Sequence, residues 1–254
     1  MMRMDYPNHG IKRQQRDAAG KRRPAERSMV INHENLDDKI YTRLKTMIAK
    51  GQIEPGERIQ PENLARDMGV SRTPILNALK RLAQERLVEW VPRRGIYVKK
   101  LTKWEVAQLF EVREGLESIA ARLAATRIDP KEVDELEEMF REFYENPNSP
   151  HIHRYIERDQ YFHWRLVELA ANAHLAAAME SVNMMISAYQ IGIPRTLPEV
   201  LPEHRAIFEA LRQQNPDASE EAMRIHIRRS VERLKKDAES EGVLDMRASK
   251  DEKK

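Results

Sequence analysis

The chain has 254 residues, room for one large domain or two ordinary ones, and its 41% apolar and 33% charged residues with only 9 glycines argue against an all-β fold. It has no cysteine, which excludes disulfides, thiolate metal sites and cysteine nucleophiles and fits a cytoplasmic protein. The net charge of +3 is unevenly divided, with +4 on residues 1–34, +6 on 35–100 and −7 on 101–254, so a polyanion partner is expected for the front only.

Residues 1–34 lack periodicity, carry KRRPAER and read as a disordered basic arm; with no apolar segment there, a signal peptide is not expected. No apolar run approaches the roughly 18 residues of a membrane span, so no membrane partner is expected. Leu36, Ile40, Leu44, Met47 and Ile48 recur at helical spacing, with Gly51 past the end as a stop. EPGER at 54–58 reads as a turn, and PENLARDMG as a short helix opening on Pro61 and closing at Gly69. SRTPILNALKRLAQERL gives a third helix, with Ser71 as N-cap and Pro74 in the first turn. In LVEWVPRRGIYVKK, Val88 and Trp90 alternate with Glu89 and Val91 ahead of a PRRG turn, which predicts a small β hairpin. Past residue 101 no strand signal remains. Six helical stretches are expected, near 103–126, 130–145, 151–171, 174–191, 198–213 and 217–237, followed by a disordered tail at 239–254. The expected fold is mostly α. A winged helix-turn-helix with a small hairpin occupies 35–100, and an all-helical six-helix bundle occupies 101–238.

In the front part, Ile75, Ala78, Leu79 and Leu82 form the inward stripe of the third helix. Leu76, Asn77 and Lys80 then face out, beside Arg72 and Thr73 at its N-terminal end. The tight MGVSRT turn sets this helix at the angle that lets it enter a major groove. Arg72 and Thr73 suit phosphate or guanine, Asn77 suits adenine, and Leu76 suits a thymine methyl. Arg93 and Arg94, beside Gly95 at the hairpin tip, suit a minor groove or flanking phosphates.

GQIEPGERIQPENLARDMGVSRTPILNALKRL followed by GIYV resembles the DNA-binding domain of the GntR family, over roughly residues 36–100. The resemblance carries over at Arg72 and Thr73. The chain departs from the usual run at Leu76-Asn77, where the family carries Arg-Glu, so that arginine's operator contact does not carry over.

In the rear part, Asp159 and His163 stand four apart on the apolar stripe of their helix, which points an acid and an imidazole into the core. His204 and His226 fall on the apolar stripes of two later helices. Three core histidines and a carboxylate suit a divalent metal ion, zinc or nickel ahead of iron or manganese. A lone core histidine is more often a hydrogen-bonded structural residue, so a structural cluster stays open. Arg113 also lies on an inward line and needs an anion. Glu117, one turn on, supplies one as a plain salt bridge; the sharper alternative is a clamp on a small carboxylate whose other end touches the metal.

EVREGLESIAARLAA, DQYFHWRLVELAANAHL, EHRAIFEALRQQN and AMRIHI resemble the FCD effector domain of FadR-type GntR regulators, over about 103–238. The resemblance implies that Asp159, His163, His204 and His226 are metal ligands, and that Arg113 and Asn172 face an effector cavity, though a helix cap explains Asn172 equally well. It also implies a homodimer and a small organic acid as effector. Six helices rather than seven resemble the shorter, VanR-like version of the domain. The expected protein is therefore a ligand-responsive transcriptional regulator, a repressor by family tendency, on double-stranded DNA in the cytoplasm and at the nucleoid. A two-fold dimer calls for a palindromic operator. Two alternatives remain, a helical metalloenzyme and a DNA-binding protein whose histidine cluster is purely structural.

Overall fold

Along α1 (Leu36–Ala49), Ile40, Leu44 and Ile48 recur every four residues and are buried, while Leu36 at the helix start is half exposed. The computed structural model describes residues 36–189 and 191–241; the expected basic arm at 1–34 and the part of the expected 239–254 tail beyond 241 lie outside the described residues, while Glu239 and Ser240 are helical, not disordered. The segment read as a turn at 54–58 ends in a short strand, β1 (Arg58–Ile59), ahead of α2 (Pro61–Met68), α3 (Arg72–Gln84), β2 (Val88–Val91) and β3 (Gly95–Val98). The expected hairpin is thus part of a three-stranded antiparallel sheet of order β1-β3-β2, with Arg58 opposite Tyr97 and Trp90 opposite Ile96. Two residues are too few to display an alternation, which is why β1 escapes a periodicity reading.

Pro61 opens α2, and Gly69 closes it at φ 66, a left-handed conformation that glycine adopts without strain. Ser71 takes the cap position of α3 in extended backbone, though its side chain makes no capping bond. Ile75, Ala78, Leu79 and Leu82 are all fully buried and join Ile40, Leu44, Ile48, Val88 and Val98 in the front core. Val88 is buried, whereas Trp90 two residues on is 48% exposed.

The rear part begins with α4 (Lys103–Ala125), whose Thr102 and Glu105 form a reciprocal capping box. Where one helix is expected over 130–145, there are two, α5 (Pro130–Glu138) and α6 (Arg141–Glu145). The N–H groups of Met139 and Phe140 reach back only three residues, to Leu136 and Glu137. This tighter turn carries the fully buried Phe140 ring to within 5.1–6.1 Å of Tyr155, Phe162, His204 and Phe208. Four more helices follow: α7 (Ile152–Leu169), α8 (Ala173–Ala188), α9 (Leu197–Arg212) and α10 (Pro216–Ser240), the last running three residues beyond its expected end. Among the described residues the rear part thus holds seven helices rather than six, so helix count does not select the shorter version of the domain.

Antiparallel α4 and α10 are registered by ion pairs along their length: Lys103–Glu241, Glu111–Lys235, Glu114–Arg228 and Arg122–Glu220. Such half-exposed pairs are worth about 0–1 kcal/mol each, so they set register while the apolar core supplies the energy. That core gathers Phe110, Phe140, Phe143, Tyr155, Phe162, Phe208, Met223 and Ile227 from five helices and one connecting turn. The two parts meet at the end of α8, where Ala188 and Met184 pack into the front core and the Tyr189 hydroxyl donates to the Arg86 carbonyl. No helix among the described residues is long and apolar enough to cross a membrane.

Candidate metal centre and DNA-binding surface

Three helices build the candidate metal centre. α7 contributes Asp159 and His163 one turn apart, α9 contributes His204, and α10 contributes His226. One donor atom from each of the four lies within 4.8 Å of all the others. The Asp159 carboxylate oxygen is 3.3 Å from His204 Nε2 and 3.6 Å from His163 Nε2. Metal–nitrogen bonds of about 2.1 Å place donors at most about 4.2 Å apart, so the set needs to contract only slightly around an ion.

The electrostatics of the pocket fit a cation. His204 is fully buried, and its Nε2 and that of His163 have no hydrogen-bond partner. A buried ring nitrogen without a partner costs free energy, and two pointing at one carboxylate suit a cation between them. Burial alone would raise the Asp159 carboxyl, but the charge of His163 and the closeness of the His163 and His204 rings hold it well below the usual range. Burial would lower His163, yet the Glu117 and Asp159 carboxylates push it up to about 9. Burial pushes His226 down to about 4 against the opposing bond to Glu203. Each histidine has an outer neighbour at Nδ1: the Glu117 carboxylate, in an ion pair rather than a hydrogen bond, for His163, and hydrogen bonds with the Tyr155 hydroxyl at 3.4 Å for His204 and with Glu203 at 3.0 Å for His226. Partners at Nδ1 leave Nε2 as the donor to the centre.

Arg113 is buried as expected, and the plain salt bridge forms: its Nε lies 2.6 Å from Glu117, with the guanidinium over the Phe110 ring. For Asn172 the structure shows the helix-cap reading: it is exposed, and its side-chain oxygen accepts from His174 N and Leu175 N at the N-cap of α8. Sequence reasoning missed Glu203 and Arg195 as part of this region, and used Glu117 only as a partner for Arg113.

At the front, α3 presents Arg72, Thr73 and Lys80 to solvent, with Leu76 and Asn77 half-buried. Arg72 pairs with Glu62 of α2 at 3.0 Å, an exposed pair that a phosphate can displace. Asn77 is held back by α1, its Nδ2 donating to Asp37 at 3.0 Å, so pairing with a base requires leaving that carboxylate. At the wing tip Arg93 has φ 63 and Gly95 φ 120, the latter a conformation that L side chains rarely adopt. Arg58 lies against Gly95, where a Cβ would stand 3.1 Å from its Nε. An open groove of about 460 Å³ between α3 and the wing is lined by Arg58, Arg72, Leu76, Trp90, Arg93 and Gly95. Arg58 and Trp90 were not expected there; the one lay in a segment read as a turn, the other on a hairpin strand given no role.

A winged helix with an arginine-lined groove, joined to a helical domain enclosing a histidine and carboxylate centre, defines a two-part DNA-binding regulator. Comparison with known proteins places it further. Residues 36–98 match the family described as bacterial regulatory proteins, gntR family, and residues 108–229 match the FCD domain. The chain is 34% identical over 200 residues to the HTH-type transcriptional regulator YdhC of Bacillus subtilis, covering 77% of this chain and 89% of that protein. It is 28% identical over 207 residues to the HTH-type transcriptional repressor RspR of Escherichia coli, covering 79% and 89%. The galactonate operon transcriptional repressor of E. coli is 26% identical over 229 residues, covering 79% and 97%. Among solved structures, E. coli McbR/YncC shares the fold with a TM-score of 0.60 at 20% identity, covering 80% of this chain and 98% of that one. A GntR regulator from Rhodococcus sp. RHA1 gives 0.58 at 20% identity, covering 78% and 96%. The chain belongs to the GntR family and carries an FCD effector domain: it is a DNA-binding transcriptional regulator. Its families and relatives are regulators rather than enzymes, which sets the metalloenzyme alternative aside.

Proposed function

We propose that the protein is a homodimeric, cytoplasmic repressor whose FCD domain holds a divalent metal ion and responds to a small carboxylate. The observation that carries this reading is the convergence of Asp159, His163, His204 and His226, two of them with buried, unpartnered Nε2 atoms. Three imidazoles and one carboxylate suit zinc or nickel ahead of iron or manganese, and an ion held there would act as a Lewis acid toward an effector oxygen. Arg113 supports the effector role. Its Nε holds Glu117, while its two Nη groups have no hydrogen-bond partner among the described residues and can take a second carboxylate. In the dimer, Arg72, Thr73, Leu76, Asn77 and Lys80 of each copy read half of a palindromic operator, and Arg93, Arg94 and Gly95 of the wing grip its flanks.

Repression is relieved only if the effector binds the DNA-released conformation more tightly than the DNA-bound one. The test is elemental analysis of protein purified without chelator or added metal, followed by titration of operator DNA with a panel of small carboxylates. About one metal per protomer is expected, lost in His204→Ala together with any carboxylate response. A metal-free wild type that stays folded and takes up no added zinc or nickel leaves the cluster structural, and regulation rests on the winged helix alone.

A further inference from the structure

Glu203 precedes the ligand His204 in α9 but is not one of the four converging donors. Its carboxylate is buried and fully engaged. Arg195 grips both oxygens, Nη1 at 2.7 Å from Oε1 and Nη2 on Oε2. Arg229 Nη1 adds a second contact to Oε1 at 2.7 Å, and His226 Nδ1 lies 3.0 Å from Oε2. Arg195 is itself fixed, with Nε on Ser230 Oγ at 3.2 Å and Nη2 on the His226 carbonyl at 3.1 Å. A carboxylate facing two guanidinium groups stays ionised and only accepts hydrogen bonds. His226 therefore donates from Nδ1, and in the neutral ring the lone pair falls on Nε2. The same arrangement recurs at His163, whose Nδ1 meets Glu117, itself held by Arg113. Two ligands from different helices thus each end on an arginine-held glutamate.

We propose that Glu203 is a positioning residue for the metal centre, fixing His226 in the tautomer and orientation that present Nε2 to the ion, with Arg195 and Arg229 holding Glu203 in place. The inference rests on the metal-binding reading above. It is tested on the full chain by calorimetric titration of Co²⁺ and Zn²⁺ into metal-stripped protein, together with the visible absorption of the Co²⁺ form. Wild type, His204→Ala, Glu203→Gln and Arg229→Gln are compared. Glu203→Gln is expected to weaken both ions by about 10–100-fold and to shift the Co²⁺ bands, which a residue serving only stability would leave unmoved. Arg229→Gln is expected to weaken binding in the same direction by less. Unchanged affinity and bands in Glu203→Gln overturn the proposal. A loss as complete as in His204→Ala also overturns it, since Glu203 would then be a ligand. If Glu203→Gln does not fold, Arg229→Gln at the surface decides, and an unchanged dissociation constant there is a refutation. Wild type that binds neither ion brings down the metal-binding reading itself; wild type that binds, with only the glutamate variant silent, brings down the positioning role alone.

Discussion

Glu117 is an acid at the centre of the bundle, between Arg113 and His163, and almost wholly withdrawn from water. Burial alone would raise its carboxyl; the charges of Arg113 and His163 outweigh that and hold it at about 2, against an ordinary 4.5. The folded value is depressed, so the contribution to stability is complete above about 4.5 and is lost as pH falls through about 2. Urea denaturation should therefore show wild type losing stability from pH 4.5 downward, while Glu117→Gln narrows its deficit as the pH approaches 2. A gap that stays constant with pH counts against the paired carboxylate. Arg113→Ala leaves Glu117 buried without its partner and should cost about 3–5 kcal/mol at pH 7. The four candidate ligands were legible because each stands on an apolar stripe where a polar side chain is out of place. Glu203 was not, because it is turned about 100° from His204 on the same helix and reads as solvent-facing. It points inward because Arg195, outside any helix, waits for it, and periodicity is silent about partners in a connecting segment.

Helices were the most legible elements, since a 3.6-residue period repeated over several turns separates core from surface. The α3 stripe of Ile75, Ala78, Leu79 and Leu82 is buried as read, and α4, α7, α9 and α10 begin and end within a few residues of expectation. The break between α5 and α6 was not legible because no proline or glycine marks it; tertiary packing of Phe140 makes the turn. The wing was read in outline, but its third strand and the outward Trp90 depend on pairing across the sheet rather than on local pattern. The groove between α3 and the wing adds Arg58 to Arg72 and Arg93, and phosphate contacts by such residues act on all sequences alike. Arg93→Gln should lower affinity for specific and non-specific DNA by similar factors. It should also reduce the slope of log affinity against log salt by about 1. Fluorescence anisotropy at several salt concentrations measures both; an unchanged slope removes Arg93 from the interface.

At the scale of the whole molecule, the charge asymmetry assigns DNA to the front, and the seam at α8 decides how the rear reaches it. Which face of α8 is buried can be read from its sequence, but which partner covers it cannot, so the seating of Met184 and Ala188 in the front core appears only in the fold. At this seam the Tyr189 hydroxyl donates to the Arg86 carbonyl, and Arg86 itself sits at φ 62. A non-glycine residue held there costs about 1–3 kcal/mol and persists only where its surroundings fix it, and the Tyr189 bond is one of the contacts that fix Arg86. A contact that distinguishes two states transmits coupling between metal or effector and operator; one that persists in both does not. Tyr189→Phe should leave metal affinity nearly unchanged in the absence of DNA and shrink the factor by which metal or carboxylate alters operator affinity. Linkage makes the effect reciprocal: the factor by which operator DNA alters metal affinity must shrink equally. Both arms are read by titrating metal with and without DNA, and DNA with and without metal. If Tyr189→Phe leaves both factors at their wild-type value, the seam is a passive joint and the coupling takes another route.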